Sequence, residues 1–141
     1  MNYEVWEIFE KFEKAETRKE RINVLKKNSN HWAMRDVLRG TFDPKVQWNL
    51  PEGLVPYTPQ AENAPTPSTL NKLHLRFKYF VSGLRESEDL LSIKRESMFV
   101  DLLESIDSRD ANILVSMINK KAPANGLTEK IVKEALPDLI P

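Results

Sequence analysis

The chain has no cysteine, which excludes disulfides and thiolate metal sites and fits a reducing cytosol. Its two histidines, His31 and His74, have no cysteine or paired histidine nearby in sequence, and lone histidines of that kind are ordinary structural residues. There is no Lys-x-Asp-Gly adenylation signature, no phosphate loop, no His-Glu-x-x-His pair and no Gly-x-Ser-x-Gly elbow, so no catalytic residue, metal ligand or cofactor site is assigned. A run of about 18 apolar residues and a basic, apolar leader are both absent; a membrane span and a signal peptide are therefore not expected, and the cytoplasm is the expected compartment. Charge of one sign is lacking too. The 21 basic residues match the 21 acidic ones, without the basic excess of many nucleic-acid binders.

What is present is a folded-protein composition, 40% hydrophobic and 30% charged over 141 residues, the size of one domain. Apolar residues recur at helical spacing. Val5, Ile8, Phe9 and Phe12 predict an amphipathic helix over 2–14. Thr17 stands three before Glu20 in a capping-box arrangement, opening a second helix with Ile22, Val24 and Leu25 on its core face and an end near Asn28. Asn30 is placed to cap a third, with Trp32, Val37 and Leu38 inward and Gly40 as its stop. From Ser68 the residues Leu70, Leu73, Phe77, Phe80 and Leu84 repeat at 3,4,3,4 spacing, which predicts a central helix with Lys72, Arg76 and Lys78 outward. A further helix, starting within 88–95, runs to about Ile106. Asp107 or Ser108 caps one through Lys120, and Thr128 caps a last short one. No strand-like alternation or repeat occurs. The expectation is an all-α, single-domain bundle of about seven helices spanning 1–141, with one long Pro-rich loop over 41–67.

That loop holds six of the nine prolines, which deny it regular structure. Its first half carries Phe42, Trp48, Leu50, Leu54 and Tyr57, too apolar to be left in water, and is expected to pack over the helices. Thr58 to Pro67 is polar and is the segment expected to be mobile. Charge is unevenly distributed. Residues 68–85 have four basic residues and no acid, while 86–110 have eight acids against three bases. Acid pairs such as Glu88 with Asp89 or Asp107 with Asp110 lie in that acidic stretch, where capping and surface roles are expected.

Three passages carry a family resemblance: Glu16-Thr-Arg-Lys-Glu-Arg-Ile22-Asn-Val-Leu25-Lys-Lys27, Leu38-Arg-Gly-Thr-Phe42-Asp-Pro-Lys-Val46-Gln-Trp48, and Met117-Ile-Asn-Lys120-Lys121 followed by Gly126-Leu-Thr128 and Leu136-Pro137-Asp-Leu139-Ile140-Pro141. In this order the set resembles the N-terminal helical DNA-binding domain of ATP-dependent DNA ligases of the phage type, whose glycine turn and Pro-x-Leu-Ile-Pro exit lead into a catalytic domain. The chain is similar as well to a small family of cyanophage proteins. The catalytic half has no counterpart within these 141 residues, so the expectation is a stand-alone, non-enzymatic module.

The resemblance implies a duplex DNA-binding function, sequence-independent, serving viral DNA replication or repair in the host cytoplasm. In such ligases the glycine turn and following helix start meet phosphates. The matching positions are Lys120, Lys121, Gly126, Leu127, Thr128 and Lys130; the basic face of Lys72, Arg76 and Lys78 is read from the residues alone. Gly126 permits close backbone approach, and free amides over Leu127–Lys130 would present partial positive charge. With zero net charge, affinity on the order of tens of micromolar or weaker is expected at physiological salt. The alternative is a protein-interaction domain on the same fold that binds a replication or host protein through Trp48 and Tyr57. A monomer is expected in either case.

Overall fold

The computed structural model describes residues 3–52 and 56–141; the expected helix start at Asn2 and the loop residues Gly53, Leu54 and Val55 lie outside them. The described residues form eight α-helices and one 3-10 helix, with a single isolated β-bridge and no strand, the all-α class read from the sequence. No helix among them is long and apolar enough to cross a membrane.

Helix α1 (Val5–Lys14) buries Val5, Ile8, Phe9 and Phe12. Helix α2 (Arg18–Lys27) starts where Thr17 Oγ1 accepts the Glu20 amide at 3.1 Å. The reciprocal bond is displaced by one residue, with Glu20 Oε2 accepting from the amide of Glu16. Leu25 alone is fully buried on α2, while Ile22 and Val24 lean on the edge of the core.

Helix α3 (Trp32–Phe42) departs from expectation at both ends. Its cap is His31 rather than Asn30: Nδ1 accepts the Met34 amide at 3.1 Å, and Nε2–H donates to Tyr3 O at 2.6 Å. Gly40 does not stop it. The glycine lies inside the last turn, where a Cβ would collide with the Trp48 ring and approach Met117 Sδ to 2.9 Å. Trp32 points outward, 63% exposed, with Arg35 over its ring.

The stripe from Leu70 to Leu84 is not one helix. A single α-turn, α4 (Leu70–Leu73), passes into a 3-10 helix (His74–Phe80), and the start at Thr69 has no side-chain cap. Three residues per turn place His74, Phe77 and Phe80 in one column, and all three are buried. His74 can occupy it because its Nδ1 lies 2.6 Å from Asp36 Oδ2 on α3. The chain then leaves the helix. Asn49 N donates to Phe80 O at 2.6 Å and Ser82 N to Gln47 O at 2.7 Å, forming the bridge of Trp48 with Val81. Gly83 turns at φ +88° and leaves Leu84 40% exposed.

Four α-helices complete the fold: α5 (Arg85–Glu88), which was not expected, α6 (Ser92–Glu104), α7 (Ser108–Ile118) and α8 (Glu129–Ala135). Asp107 caps α7 through the Arg109 amide at 2.8 Å, and Thr128 caps α8 through the Ile131 amide at 3.3 Å. Helix α7 packs on α3 and α1, and α8 packs on α2. The loop's Trp48, Leu50 and Tyr57 are half-buried against this core. Its second half, expected to be mobile, is fastened to the end of α6, with Thr58 N on Glu104 Oε2 at 2.7 Å and Gln60 Nε2 on Glu104 O at 2.5 Å.

Candidate functional site

The end of α7 is closed by two backbone bonds, Lys120 N to Met117 O at 3.0 Å and Lys121 N to Ser116 O at 2.9 Å. These are the paired bonds of a Schellman turn, whose left-handed residue is usually glycine. Here it is Lys120, at φ +56°. Side-chain bonds offset the strain: the Lys120 ammonium donates to Gly40 O at 2.8 Å and Asp43 O at 3.0 Å, capping the end of α3. Burial lowers its pKa, against the pull of the nearby Asp43 carboxylate. Lys120 therefore joins two helix ends, while Lys121 is exposed and has no ion pair among the described residues.

Gly126 turns at φ +80°, and a Cβ there would run into the Arg21 guanidinium. The turn is already engaged on two sides. Leu127 N donates to Ala124 O at 3.3 Å within it, and Asn125 N donates to Glu13 Oε2 at 2.8 Å. The Leu127 side chain is in the core, 3% exposed. Thr128 caps α8 and Lys130 is exposed. Around them cations alternate with carboxylates: Lys133 pairs with Glu129 at 3.1 Å, and Arg18 forks onto Glu134 at 2.8 and 2.5 Å, holding that carboxyl below its usual range.

The segment bearing Lys72, Arg76 and Lys78 groups its cations in a run without acids. All three are exposed and none joins an ion pair among the described residues. Arg85, at the end of the same acid-free run, pairs with Asp89, and Arg18, Arg35, Arg39 and Arg109 elsewhere each lie within ion-pair distance of a carboxylate. The basic segment rests on α3 and α6, whereas the Gly126 turn rests on α1 and α2. The two groups of expected site residues are thus carried by different parts of the bundle.

Beside the basic segment is a groove that sequence reasoning missed. It has a volume of about 320 Å³ between α3 and the 3-10 helix, with Trp48, Phe77, Val81, Leu75 and Leu84 as its apolar wall. Leu75 is 69% exposed. The available signal was Leu75 itself, an apolar residue off the buried stripe and among lysines. Trp48 and Tyr57, by contrast, are half-buried: the Trp48 indole donates to Gly40 O at 2.9 Å and its ring meets Phe77 edge-on at 5.9 Å.

Asp110 is the one strongly perturbed carboxyl among the described residues. It is fully buried, and desolvation is the main cause that raises its pKa to about 7, with Glu4 and Asp107 adding to the rise against the Trp6 amide and Arg109. Oδ1 accepts from Trp6 N at 2.9 Å, and Oδ2 has no hydrogen-bond partner. No three His, Cys, Asp or Glu residues among those described are placed to hold a metal ion.

A family model described as "Family of unknown function (DUF6433)" matches residues 8–123. The chain belongs to DUF6433. No curated protein and no solved structure matches it. The DUF6433 match runs from within α1 to the turn after α7 and includes Lys72, Arg76, Lys78 and the groove. It stops before Gly126 and α8.

Proposed function

We propose that this DUF6433 protein is a non-catalytic module that grips duplex DNA through its phosphates without reading sequence, in viral DNA replication or repair in the host cytoplasm. The observation that carries the reading is the set of exposed, unpaired cations Lys72, Arg76 and Lys78 on one acid-free segment. Cations without a carboxylate partner attract phosphate without first breaking an ion pair, and phosphate contacts fix position while leaving sequence unread. The ordered resemblance to the ligase DNA-binding domain supports duplex DNA as the partner. Lys121 and Lys130 supply outlying cations of a second contact, with the amides after Thr128. Lys120 supports that contact from behind. Glu13, bound to Asn125 N, competes with phosphate at the turn, so the basic segment bears the larger share.

The test is a fluorescence-anisotropy titration of nicked and intact duplex at two salt concentrations. Three phosphates neutralised correspond to a logarithmic salt slope of about −2.7, a loss of roughly 40-fold between 50 and 200 mM salt. Absence of binding at about 50 mM salt would overturn the reading.

A further inference from the structure

The groove beside the basic segment has a composition that DNA-backbone contact does not use. Its wall is apolar, formed by Trp48, Phe77, Val81, Leu75 and Leu84. Two of these are left in water, Leu75 at 69% and Leu84 at 40% exposure. A solvent-facing leucine pair at the lips of a concave apolar surface marks a binding face. The volume, about 320 Å³, lies at the small end for ligand sites and accommodates one or two large side chains.

The rim determines the sign of the partner. Lys78 lines the groove and has no ion pair among the described residues, and Lys72 and Arg76 flank it along the same segment. The one acid in the lining, Asp36, is engaged within the protein: Oδ2 lies 2.6 Å from His74 Nδ1 and Oδ1 lies 3.6 Å from Arg39 Nη1, so Asp36 and Arg39 offset each other. Glu88, just beyond Leu84, is exposed and accepts from Gly83 N at 2.9 Å and Asn49 Nδ2 at 3.3 Å, which leaves a carboxylate at the Leu84 end of the groove. An apolar floor with the cations of Lys72, Arg76 and Lys78 along one edge complements a chain that alternates large apolar residues with carboxylates.

We propose that this groove is a docking site for an acidic segment of a partner protein that inserts one or two large apolar side chains between Leu75, Leu84 and Trp48 and sets its carboxylates on Lys78, Arg76 and Lys72. Apolar insertion sets the affinity, and the cations set orientation and salt dependence. The proposal does not rest on DNA binding; the two share cations but not the groove.

The probe is a fluorescein-labelled synthetic peptide of Asp and Glu with Leu and Phe four residues apart. Its control has serine in place of both apolar residues at the same charge. Anisotropy and the NMR signal of the Trp48 indole N–H are read on the full chain. Expected are saturable binding, at least tenfold weaker binding of the control, and at least a tenfold loss in Leu75→Ser/Leu84→Ser, with a smaller, salt-dependent loss in Lys78→Glu. Both leucines are exposed, and an unchanged melting temperature confirms that the double variant is folded. That variant should bind duplex DNA like the parent, whereas Lys72→Glu/Arg76→Glu should lose DNA, so failure of one reading is visible apart from failure of the other. Equal binding of peptide and control, or unchanged peptide binding in the leucine variant, would overturn the proposal. So would a Trp48 shift produced by single-stranded oligonucleotide and not by peptide, or a self-association abolished by the leucine substitutions, either of which assigns the groove another occupant.

Discussion

The Lys120 ammonium lies 2.8 Å from Gly40 O and 3.0 Å from Asp43 O, so the left-handed residue that closes α7 also closes α3. One side chain joins two helix ends that are distant in sequence. Lys120→Met removes a charged donor from two carbonyls, although Gly40 O keeps its bond from the Trp48 indole. The expected loss is about 1–2 kcal/mol in urea unfolding. Lys120→Gly should lose less, because glycine relieves the left-handed backbone. Lys121→Met should stay within about 0.5 kcal/mol of the parent, as exposed surface changes do. Equal losses at 120 and 121 would contradict the assignment of Lys120 as the tie.

Gly40 is expected to resist substitution for packing reasons. A Cβ there meets the Trp48 ring and Met117 Sδ, and overpacking of this kind costs about 1–3 kcal/mol, of which alanine's helix propensity returns about 1. Gly40→Ala should therefore lower stability and perturb the Trp48 environment, seen in near-UV circular dichroism. An alanine variant as stable as the parent would show that the loop does not press on α3.

These contacts also separate what the sequence disclosed from what it withheld. Thr17, Asp107 and Thr128 were legible as caps because capping depends on residues three apart or closer, and the stripes of α1, α6 and α7 follow one local period. His31 displaced Asn30 as a cap because its second ring nitrogen reaches Tyr3 O, 28 residues away in sequence. The 3-10 helix was hidden for a similar reason: Leu70, Leu73, Phe77 and Phe80 fit a 3.6-residue period as well as a shorter one. The deciding partners, Asp36 for His74 and the Gln47–Asn49 strand-like pairing, come from elsewhere in the chain. At the candidate site, Lys72, Arg76 and Lys78 were legible because a run free of acids needs no tertiary information. The engagement of Lys120 with Gly40, the Arg21 guanidinium over Gly126 and the Leu75 groove are long-range pairings that spacing does not encode.

If the basic segment bears most of the phosphate contact, its cations and those of the tail should differ in effect. Lys72→Ala and Arg76→Ala should each reduce the logarithmic salt slope for duplex DNA by about 0.9. Lys121→Ala and Lys130→Ala should change it by less, given the carboxylates around them. Lys120→Met should leave the slope unchanged after correction for the folded fraction. A larger slope change at Lys121 or Lys130 than at Lys72 would return the main contact to the Gly126 turn.

Asp110 sets a pH dependence of opposite sign to that of an ion-paired carboxylate. Burial raises its pKa from 3.8 to about 7 in the folded chain, so between those values the folded state holds a proton that the unfolded chain has released. Stability from this group is complete below about pH 4, falls as pH rises toward 7, and is level above it. The span corresponds to a loss of roughly 4 kcal/mol at about 1.36 kcal/mol per pKa unit. Glu4, also raised by burial, acts in the same direction, whereas Asp107, lowered chiefly by its bond from Arg109, acts only in the more acidic range below the ordinary carboxylate pKa. Asp110→Asn keeps an oxygen for the Trp6 amide and removes the titration. Urea unfolding from pH 4.5 to 8 should show stability falling in the parent and a much flatter profile in the variant, with the variant the more stable at pH 8. An Asn variant with the parent's slope would mean that the pH dependence originates in another group.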